Sequence, residues 1–307
     1  MEKVVIIGAG PAGFTAGIYC ARADLNPLIL SGKLPGGLLT QTSDVENYPG
    51  FSSVNGFELM MMMQKQAEKF SAKIVPGTAK SVVFQNGGPH TLELESGDKI
   101  VTKTVIIATG SNPRWMGLDS EKRLANKGVS ACATCDGAFF RNLPVVIVGG
   151  GDTAMEEALF LTKFASQVTI IHRRNEFRAS KIMIARVKEN SKVNFVLDSQ
   201  VIDILGEKEV EGVKVKNLKS EEITTIECRG YFAALGHIPA TEIFRNYIKT
   251  DEKGYILLKE NTSRTNIDGV FAAGDCADNR YMQAVTAAGM GCKAAMDAEQ
   301  WLTTNKC

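Results

Sequence analysis

The chain begins with an apolar run and a glycine turn, Val4-Val5-Ile6-Ile7-Gly8-Ala9-Gly10-Pro11-Ala12-Gly13. The apolar run predicts a buried strand, and a helix is expected from about Pro11 to Arg22. In a strand–turn–helix unit of this kind, Gly8 permits the tight turn and Gly10 lets the backbone approach a pyrophosphate. Gly13 lets the helix pack close to the strand, and the helix N-terminus supplies partial positive charge. The pattern predicts a dinucleotide site at Gly8, Gly10, Pro11, Ala12 and Gly13, although a purely structural turn can look the same.

A second glycine turn repeats this arrangement near the middle of the chain. The predicted strand Val145–Val148 leads into Gly149-Gly150-Gly151-Asp152-Thr153-Ala154, and a helix is expected from about Asp152 to Phe164. The last position of this turn is Ala rather than Gly, which is an accepted variant of the fingerprint. The predicted contacts with a second nucleotide are Gly149, Gly151, Asp152, Thr153 and Ala154.

Both halves of the repeat contain further strands. In the first half, the turns Asn86-Gly87-Gly88 and Ser96-Gly97-Asp98 indicate a small antiparallel meander. Each half then closes with an apolar strand and a similar tail, which ends at Pro113 in one half and at Pro239 in the other. We therefore predict an α/β fold with two Rossmann-like three-layer nucleotide-binding domains, each with a small antiparallel β-meander.

The last stretch of the chain, residues 240–307, is too short to be a third unit of the same kind. It holds the apolar strand Gly269–Ala273 and a helix of small residues from about Gln283 to Leu302. We expect this stretch to complete the first domain, so that residues 1–113 and 240–307 belong together and residues 114–239 are inserted. The two chain crossings of such an insertion are what a hinge between rigid bodies needs.

The residues after the second strand of each half distinguish the two sites. An acid is expected there to bind a ribose hydroxyl, but the first half has Leu30-Ser31-Gly32. The second half has His172-Arg173-Arg174, followed by Arg178. Guanidinium groups pair well with phosphate oxygens, so this cluster favours the 2′-phosphate of NADP over NAD. The alternative is a solvated basic face before a helix.

Cys132 and Cys135 form a CxxC pair between the two fingerprints. Such a pair can be redox-active, metal-binding or inert. Zinc needs about four ligands, and the chain has neither a second CxxC nor a Cys/His cluster, so we predict no metal site. A thiol pair at this spacing can close and reopen a small disulfide. Asp136 follows directly and is a candidate general acid for a leaving thiolate, although a solvated, turn-forming Asp is the alternative.

The composition excludes several classes of protein. A net charge of +1 provides no field to recruit nucleic acid or an anionic membrane, so we expect neither as a partner. No run approaches the roughly 18 apolar residues of a membrane span, and no signal peptide is recognisable. Seven cysteines is an odd number, which argues against a disulfide framework and favours a cytoplasmic protein. We expect the other cysteines to be free thiols: Cys20, Cys228, Cys276, Cys292 and Cys307.

Two further segments have more than one interpretation. Gly274-Asp275 follows the strand of the last stretch, where the carboxylate can accept a hydrogen bond from a sugar-chain hydroxyl or can cap a helix. Met60–Met63 lies in a predicted helix from about Gly56 to Phe70. Four consecutive methionines cover more than one helix face, so we predict core and interface packing for them.

Taken together, these residues resemble the low-molecular-weight thioredoxin reductases of the bacterial type, which are class II pyridine nucleotide-disulfide oxidoreductases. The resemblance covers nearly the whole chain, and the segment around the two cysteines is its most specific part. The motifs that carry it are Gly8–Gly13, Val45–Gly50, Ala108–Gly110, Gly128–Gly137, Gly149–Ala154, His172–Arg174 with Arg178, and Gly269–Asp275.

The resemblance implies FAD in the first domain and NADPH in the inserted one. It implies that Asn47 and Thr42 lie near the flavin, that Asp275 holds the ribityl chain, and that Gln283 and Ala284 approach FAD. It also implies a homodimer and a thioredoxin-disulfide reductase, in which hydride passes from NADPH to FAD and electrons then pass to the Cys132–Cys135 disulfide and to thioredoxin, with domain rotation. The implied contacts of FAD beyond the first glycine turn are Gln41, Thr42, Asn47, Ala108, Thr109, Gly110, Gly274, Asp275, Gln283 and Ala284.

Two positions depart from the family pattern. Leu38 stands where Gln is usual, and Met282 stands where Arg is usual. Both are expected near the flavin or the pyrophosphate, so they bear on flavin affinity and potential.

Two other functions remain open at this point. One is a related flavoprotein disulfide reductase or thiol oxidase with a different acceptor. The other is a non-enzymatic flavin-binding or zinc-stabilised module, which a colourless or zinc-containing protein would favour.

Overall fold

The structure is a computed structural model that describes residues 1–42 and 44–305. Its strands are β1 (Glu2–Ile7), β2 (Leu28–Leu30), β3 (Asp44–Val45), β4 (Val54–Asn55), β5 (Lys73–Val75), β6 (Ala79–Val83), β7 (His90–Leu94), β8 (Lys99–Ile107), β9 (Ser111–Pro113), β10 (Val129–Ser130), β11 (Pro144–Val148), β12 (Gln167–Ile171), β13 (Val193–Val196), β14 (Ser199–Leu205), β15 (Gly212–Asn217), β16 (Ile223–Glu227), β17 (Gly230–Ala233), β18 (His237–Pro239) and β19 (Val270–Ala272). Its α-helices are α1 (Pro11–Arg22), α2 (Gly56–Lys69), α3 (Asp119–Arg123), α4 (Ala133–Asp136), α5 (Asp152–Leu161), α6 (Lys181–Glu189) and α7 (Ala284–Thr304). Short 3-10 helices cover Gly37–Gln41, Gly137–Phe140 and Glu242–Phe244.

The chain divides into two compact units. The first consists of Met1–Asn112 and the segment that begins at Ile238, and the second is Pro113–His237. These breaks fall one and two residues before the boundaries expected from the sequence. The two crossings, β9 and β18, pair with each other as a two-stranded sheet.

The first unit is built on a seven-stranded sheet in which the long strand β8 belongs to two substructures. The order is β5-β2-β1-β8-β7-β6, and β19 also pairs with β8. The end of β8 lies in parallel between β1 and β19, whereas its beginning pairs antiparallel with β7, and β7 with β6. The meander turns at Gly87 and Gly97, which both have positive φ angles.

Alternate residues of β1 enter two different cores. Val4 and Ile6 pack in one cluster with α1, α2 and α7, while Val5 and Ile7 pack in another with the meander and Phe244. All four of these side chains are buried, and burial of each stabilises the fold by about 1.5–3 kcal/mol. The sheet therefore lies between two layers.

Helix α7 closes this unit against α1. A Cβ added at Gly291 of α7 would lie 2.1 Å from the Ala12 carbonyl oxygen, so only glycine allows the two backbones to approach this closely. At 21 residues, α7 far exceeds the neighbouring helices in length. Nevertheless, neither it nor any other helix within residues 1–42 and 44–305 combines the length and apolarity of a membrane span.

The second unit repeats the layered plan with a smaller sheet. Its five strands are all parallel, in the order β10-β17-β11-β12-β13, and β14, β15 and β16 form a separate antiparallel meander. One apolar cluster joins the sheet to α4, α5 and α6, and another joins it to the meander. The predicted α/β fold of two Rossmann-like units, each with an antiparallel meander, is confirmed.

Most predicted helix bounds agree with the structure, and α5 shows why one does not. Helix α1 spans Pro11–Arg22 as predicted. Helix α5 was expected to reach Phe164 but ends at Leu161. The Thr162 hydroxyl donates a hydrogen bond to the Leu159 carbonyl, and the Phe164 N–H bonds to Leu161, which tightens the last turn.

The four methionines lie on α2, as expected. The Asn55 side chain caps this helix by accepting hydrogen bonds from the N–H groups of Phe57 and Glu58. Met60 and Met63 are buried in the first core, whereas Met62 is exposed. The core part of the prediction is confirmed.

His90 makes the stability of the first unit depend on pH. Its side chain is fully buried, and neither ring nitrogen has a hydrogen-bond partner in the described part of the chain. Burial lowers the pKa of His90 to about 4, which the backbone of Gly269 opposes only in part. The native state therefore takes up this proton less readily than the unfolded chain, where the pKa is 6.5. The resulting stability is present above pH 6.5 and is lost as the pH falls through about 4.

We expect His90→Phe to weaken this acid sensitivity. Protonation at this site costs the wild type about 2 kcal/mol by pH 5 and about 3 kcal/mol by pH 4, relative to pH 7. The measurement is urea unfolding of both proteins at pH 7, 5 and 4. Unfolding is followed by the fluorescence of Trp301, the tryptophan of the first unit. Equal losses of stability in the two proteins would contradict the assignment to His90.

Candidate active site

The first glycine turn is shaped by contacts that exclude side chains at two positions. Gly8 has φ +112°, and a Cβ there would lie 2.2 Å from the Ala108 carbonyl oxygen. A Cβ at Gly13 would lie 1.9 Å from the Gly8 carbonyl oxygen. By contrast, the nearest atom to a Cβ at Gly10 is the Gly36 oxygen, at 4.0 Å. Gly10 is the N-cap of α1, so the open space lies where the free N–H groups of the first turn can receive an anion.

The second glycine turn has the same design. A Cβ at Gly149 would lie 2.5 Å from the Ala234 oxygen, whereas a Cβ at Gly151, the N-cap of α5, would meet nothing within 4 Å. Ala154 is buried against Gly149 and takes the place of the third glycine. Gly150, which sequence reasoning left out of the site, is also required, because a Cβ there would lie 2.2 Å from the His172 ring.

The Gly274-Asp275 pair lies beside the first turn. A Cβ at Gly274 would lie 3.0 Å from the Cβ of Ala12, in the first turn of α1. Burial, reinforced by the charge of Asp278, raises the pKa of Asp275 to about 6. A carboxyl in this environment is stabilised by a hydrogen-bond donor, which a sugar hydroxyl supplies.

Asn47 and Gln283 are brought together from distant parts of the sequence. The Asn47 amide Nδ2 donates to the Gln283 Oε1 at 3.3 Å. Gln283 is the N-cap of α7, and Ala284 is the first residue of that helix. Thr42 ends the 3-10 helix Gly37–Gln41, and its carbonyl accepts from the Gly56 N–H. Gln41 lines a cavity of about 390 Å³ next to Phe14 and Gly36.

Residues 108–110, which follow β8, form hydrogen bonds with Ala240 at the start of the last stretch of the chain. Ala108 lies against Gly8, and its N–H bonds to the Ile7 carbonyl. The Thr109 hydroxyl donates to the Ala240 carbonyl at 2.7 Å, and the Ala240 N–H donates to the Gly110 carbonyl at 3.0 Å. These three residues therefore have a structural function whether or not they contact a cofactor.

The basic cluster lies beside the second glycine turn. Arg173, Arg174 and Arg178 are exposed, and the Arg178 N–H donates to the Gly150 carbonyl at 2.7 Å. His172 differs from them because it is buried, with Nε2 3.2 Å from the Glu176 carbonyl oxygen. Burial lowers the pKa of His172, and the charges of the three arginines add to this effect. The three guanidinium groups are thus the part of the cluster that is free to meet a phosphate.

Asp152 and Thr153 lie at the start of α5 and are both exposed. The Asp152 carboxylate accepts a hydrogen bond from the Ser180 N–H at 2.9 Å, which lowers the pKa of Asp152. This bond ties the turn to the start of α6, so a structural function of Asp152 is evident.

Cys132 and Cys135 are joined in a disulfide, with their Cα atoms 5.3 Å apart. Cys132 is the N-cap of the short helix α4, and its carbonyl accepts from the N–H groups of Cys135 and Asp136. Cys135 is exposed and Cys132 is half-buried. The pair is therefore within reach of a reaction partner.

Ser130 links the disulfide to Asp136. Its hydroxyl donates to Asp136 Oδ2 at 2.5 Å and accepts from the Cys132 N–H at 3.0 Å. Burial raises the pKa of Asp136, and the bond from Ser130 partly offsets this. A carboxyl whose pKa is raised and which lies beside a disulfide is suited to protonate a leaving thiolate.

Residues 2–291 of the chain match the family described as pyridine nucleotide-disulphide oxidoreductase. The chain belongs to this family. The oxidoreductase is 48% identical over 304 residues to a thioredoxin reductase of Rickettsia conorii, covering 98% of both proteins. It is 46% identical to a bifunctional thioredoxin reductase/thioredoxin of Mycobacterium leprae, of which it spans 66%. The crystal structure of a thioredoxin reductase from Streptococcus pyogenes superimposes with a TM-score of 0.93, at 40% identity and 99% coverage of each chain.

These findings confirm the resemblance to the low-molecular-weight thioredoxin reductases. Membership of the family implies that the oxidoreductase uses a pyridine nucleotide and a flavin. Four other cysteines, Cys20, Cys228, Cys276 and Cys292, are free thiols as predicted. Cys307 lies outside the described residues.

Proposed function

We propose that this oxidoreductase is an NADPH-dependent thioredoxin-disulfide reductase that acts through the Cys132–Cys135 disulfide. The observation that supports this most directly is an accessible disulfide beside the half-buried acid Asp136, in a chain with two glycine turns. The proposal includes FAD in the first unit, NADPH in the second, and rotation of the second unit about the crossings β9 and β18. It also includes the homodimer and the cytoplasmic location that the resemblance implies.

The residues of the first turn fit the diphosphate of FAD. The space at Gly10 is one that a Cβ would fill, and the N-terminus of α1 adjoins it. We assign the remaining contacts to Asp275 and to the Asn47–Gln283 pair. The exposed arginines beside the second turn fit the 2′-phosphate of NADPH. When bound, the two cofactors supply hydride and electron transfer.

Reduction of the disulfide takes up two electrons and, in the form that attacks the partner, one proton, so that one sulfur becomes a thiol and the other stays a thiolate. Breaking the sulfur–sulfur bond leaves one thiolate that needs a proton, and Asp136 is placed by Ser130 to provide it. The dithiol then reduces thioredoxin: one thiolate attacks the partner's disulfide, and the other cysteine resolves the mixed disulfide. This step re-forms the Cys132–Cys135 bond.

The proposal is tested by anaerobic absorbance spectroscopy of the purified protein, titrated with NADPH and then with oxidised thioredoxin. We expect a yellow protein that bleaches with NADPH and recovers its colour with thioredoxin. Bleaching without recovery would redirect the search to another acceptor, and a colourless protein would contradict the assignment of a flavin.

Ser130→Ala tests the assignment of Asp136 as the acid. Loss of the donating hydroxyl raises the pKa of Asp136 further, so the acid stays protonated to higher pH. We expect the alkaline limb of the pH–activity profile to move upward and turnover to fall less than in Asp136→Asn, for which a loss of about a hundredfold is expected. The measurement is steady-state thioredoxin reduction from pH 6 to 9.5. An unchanged alkaline limb in Ser130→Ala would argue against the acid.

A further inference from the structure

Glu157 is a half-buried residue with a buried carboxyl oxygen, and the proposed mechanism does not use it. It lies on α5, which packs against the cysteine helix α4. Ala154, one helical turn before it, and Ala158, the next residue, share an apolar cluster with Ala133, the residue that follows Cys132. Its Oε2 atom is buried without a hydrogen-bond partner in the described ranges. A buried oxygen without a hydrogen bond lowers the stability of the folded state, so a role beyond packing is indicated for this residue.

The position of this carboxyl connects it to the cysteine pair. The Ala133 backbone N–H, which lies between the two cysteines in the chain, is close enough to this carboxyl to lower its pKa. The pKa of Glu157 is nevertheless raised to about 8, because burial has the largest effect and the charge of Glu156 adds to it. Glu157 is therefore neutral at pH 7 and becomes charged in the pH range in which thiols also ionise.

The charged groups of the surrounding elements are few. On its own helix, the neighbouring charge is Glu156, which is exposed, and Asp152 lies at the N-terminal end of the helix. Helix α4 contributes Asp136 and the two cysteines. The sequences of β11, β12 and Gly137–Phe140, which also contact α5, contain no charged residue. The charged residues of α6, the other neighbour, are Lys181, Arg186, Lys188 and Glu189.

We propose that Glu157 is a positioning residue of the Cys132–Cys135 pair, which holds the Ala133 amide and whose charge controls how readily the reduced pair forms a thiolate. The inference rests on the proposed function, because it concerns the same disulfide. While neutral, the carboxyl leaves the thiolate free to form. Once ionised, the Glu157 carboxylate is a negative charge close to the cysteine pair, and its repulsion makes a thiolate less favourable.

The test compares the wild type with Glu157→Gln, which keeps an acceptor oxygen for Ala133 but cannot ionise. Each protein is reduced chemically, freed of reductant, and alkylated with iodoacetamide from pH 6 to 10. Mass spectrometry of the peptide that contains Cys132 and Cys135 gives the alkylation rate. Glu156→Gln is the matched control, since it removes an exposed carboxyl from the adjacent position of α5.

We expect the rate profiles of Glu157→Gln and the wild type to coincide below about pH 7, where Glu157 is neutral. Between about pH 8 and 9 the variant should react up to about threefold faster, which is the largest ratio that a coupling of half a pKa unit allows, and the two profiles should converge again near pH 10. Glu156→Gln should follow the wild type closely. The proposal would be overturned if all three alkylation-rate profiles coincided at every pH. It would also be overturned if the rates of Glu157→Gln differed from those of the wild type by the same factor at every pH, because that indicates a structural effect alone.

A second measurement covers the case in which Glu157→Gln does not fold. The ¹³C spectrum of wild-type protein with labelled glutamate carboxyls should contain one resonance that titrates near pH 8. This resonance should move to higher pH when the disulfide is reduced. The absence of such a resonance would also overturn the proposal. Both measurements use chemical reduction, so they remain informative even if NADPH or thioredoxin proves to be the wrong partner.

Discussion

Replacement of either Cys132 or Cys135 by serine should abolish electron transfer to thioredoxin and leave the reduction of the flavin by NADPH intact. A serine hydroxyl cannot form the disulfide or the mixed disulfide with the partner, so the relay stops after the flavin. We expect kcat/KM for thioredoxin to fall about a thousandfold or more, the scale of loss when a covalent catalytic group is removed. The measurements are anaerobic stopped-flow absorbance for the flavin and steady-state thioredoxin reduction for the complete reaction.

Cys292→Ser is a suitable control for this experiment. Cys292 is a free, half-buried thiol on α7, in the first unit, so its loss should leave both measurements within about twofold of the wild type. Retention of thioredoxin turnover by both active-site variants would refute the proposed function. Loss of flavin reduction in the variants would instead indicate that the cysteines support the fold of the site.

Joint replacement of Arg173 and Arg174 by alanine should convert a selective enzyme into one that hardly distinguishes NADPH from NADH. Each charge-assisted pair with a phosphate contributes about 1.5–3 kcal/mol, so the loss of two should lower kcat/KM for NADPH by a factor of about 100 or more. NADH has no 2′-phosphate, and its kcat/KM should therefore change little. The ratio of the two values, measured at constant ionic strength, gives the effect directly.

Lys188→Ala provides the comparison for charge alone, because Lys188 is an exposed cation on α6 of the same unit. This variant should keep the wild-type preference. A parallel fall of both kcat/KM values in the arginine variant would show that the cluster supports the second turn and does not recognise the phosphate.

The features that were predictable from the sequence are those that a local pattern determines. An apolar run, a glycine turn and a helical period are consecutive in the chain, so the bounds of α1 and the requirement for Gly8 and Gly13 follow from residues 4–22. The fold class follows because the same pattern occurs twice. The basic cluster was also predictable, since it is a run of like charges at a fixed distance from the second turn.

Features that depend on contacts between distant elements were not predictable in this way. Glu157 looks like half of an ordinary acidic pair on an amphipathic helix, and only the packing of α4 on α5 shows that one of its carboxyl oxygens is buried. The function of Ser130 depends on the four-residue helix α4, which is too short to produce a periodic signal. The constraint on Gly150 comes from the His172 ring, which only the fold brings against it.

The close packing of α7 on α1 has a consequence for the synthesis of this protein. Gly291 and Ala12 are in contact although most of the chain separates them. During translation, the contiguous unit Pro113–His237 leaves the ribosome complete, and it can fold while the growing chain has yet to produce β19 and α7. One face of α1 has no partner until α7 is synthesised, so we expect the second unit to complete its fold before the first.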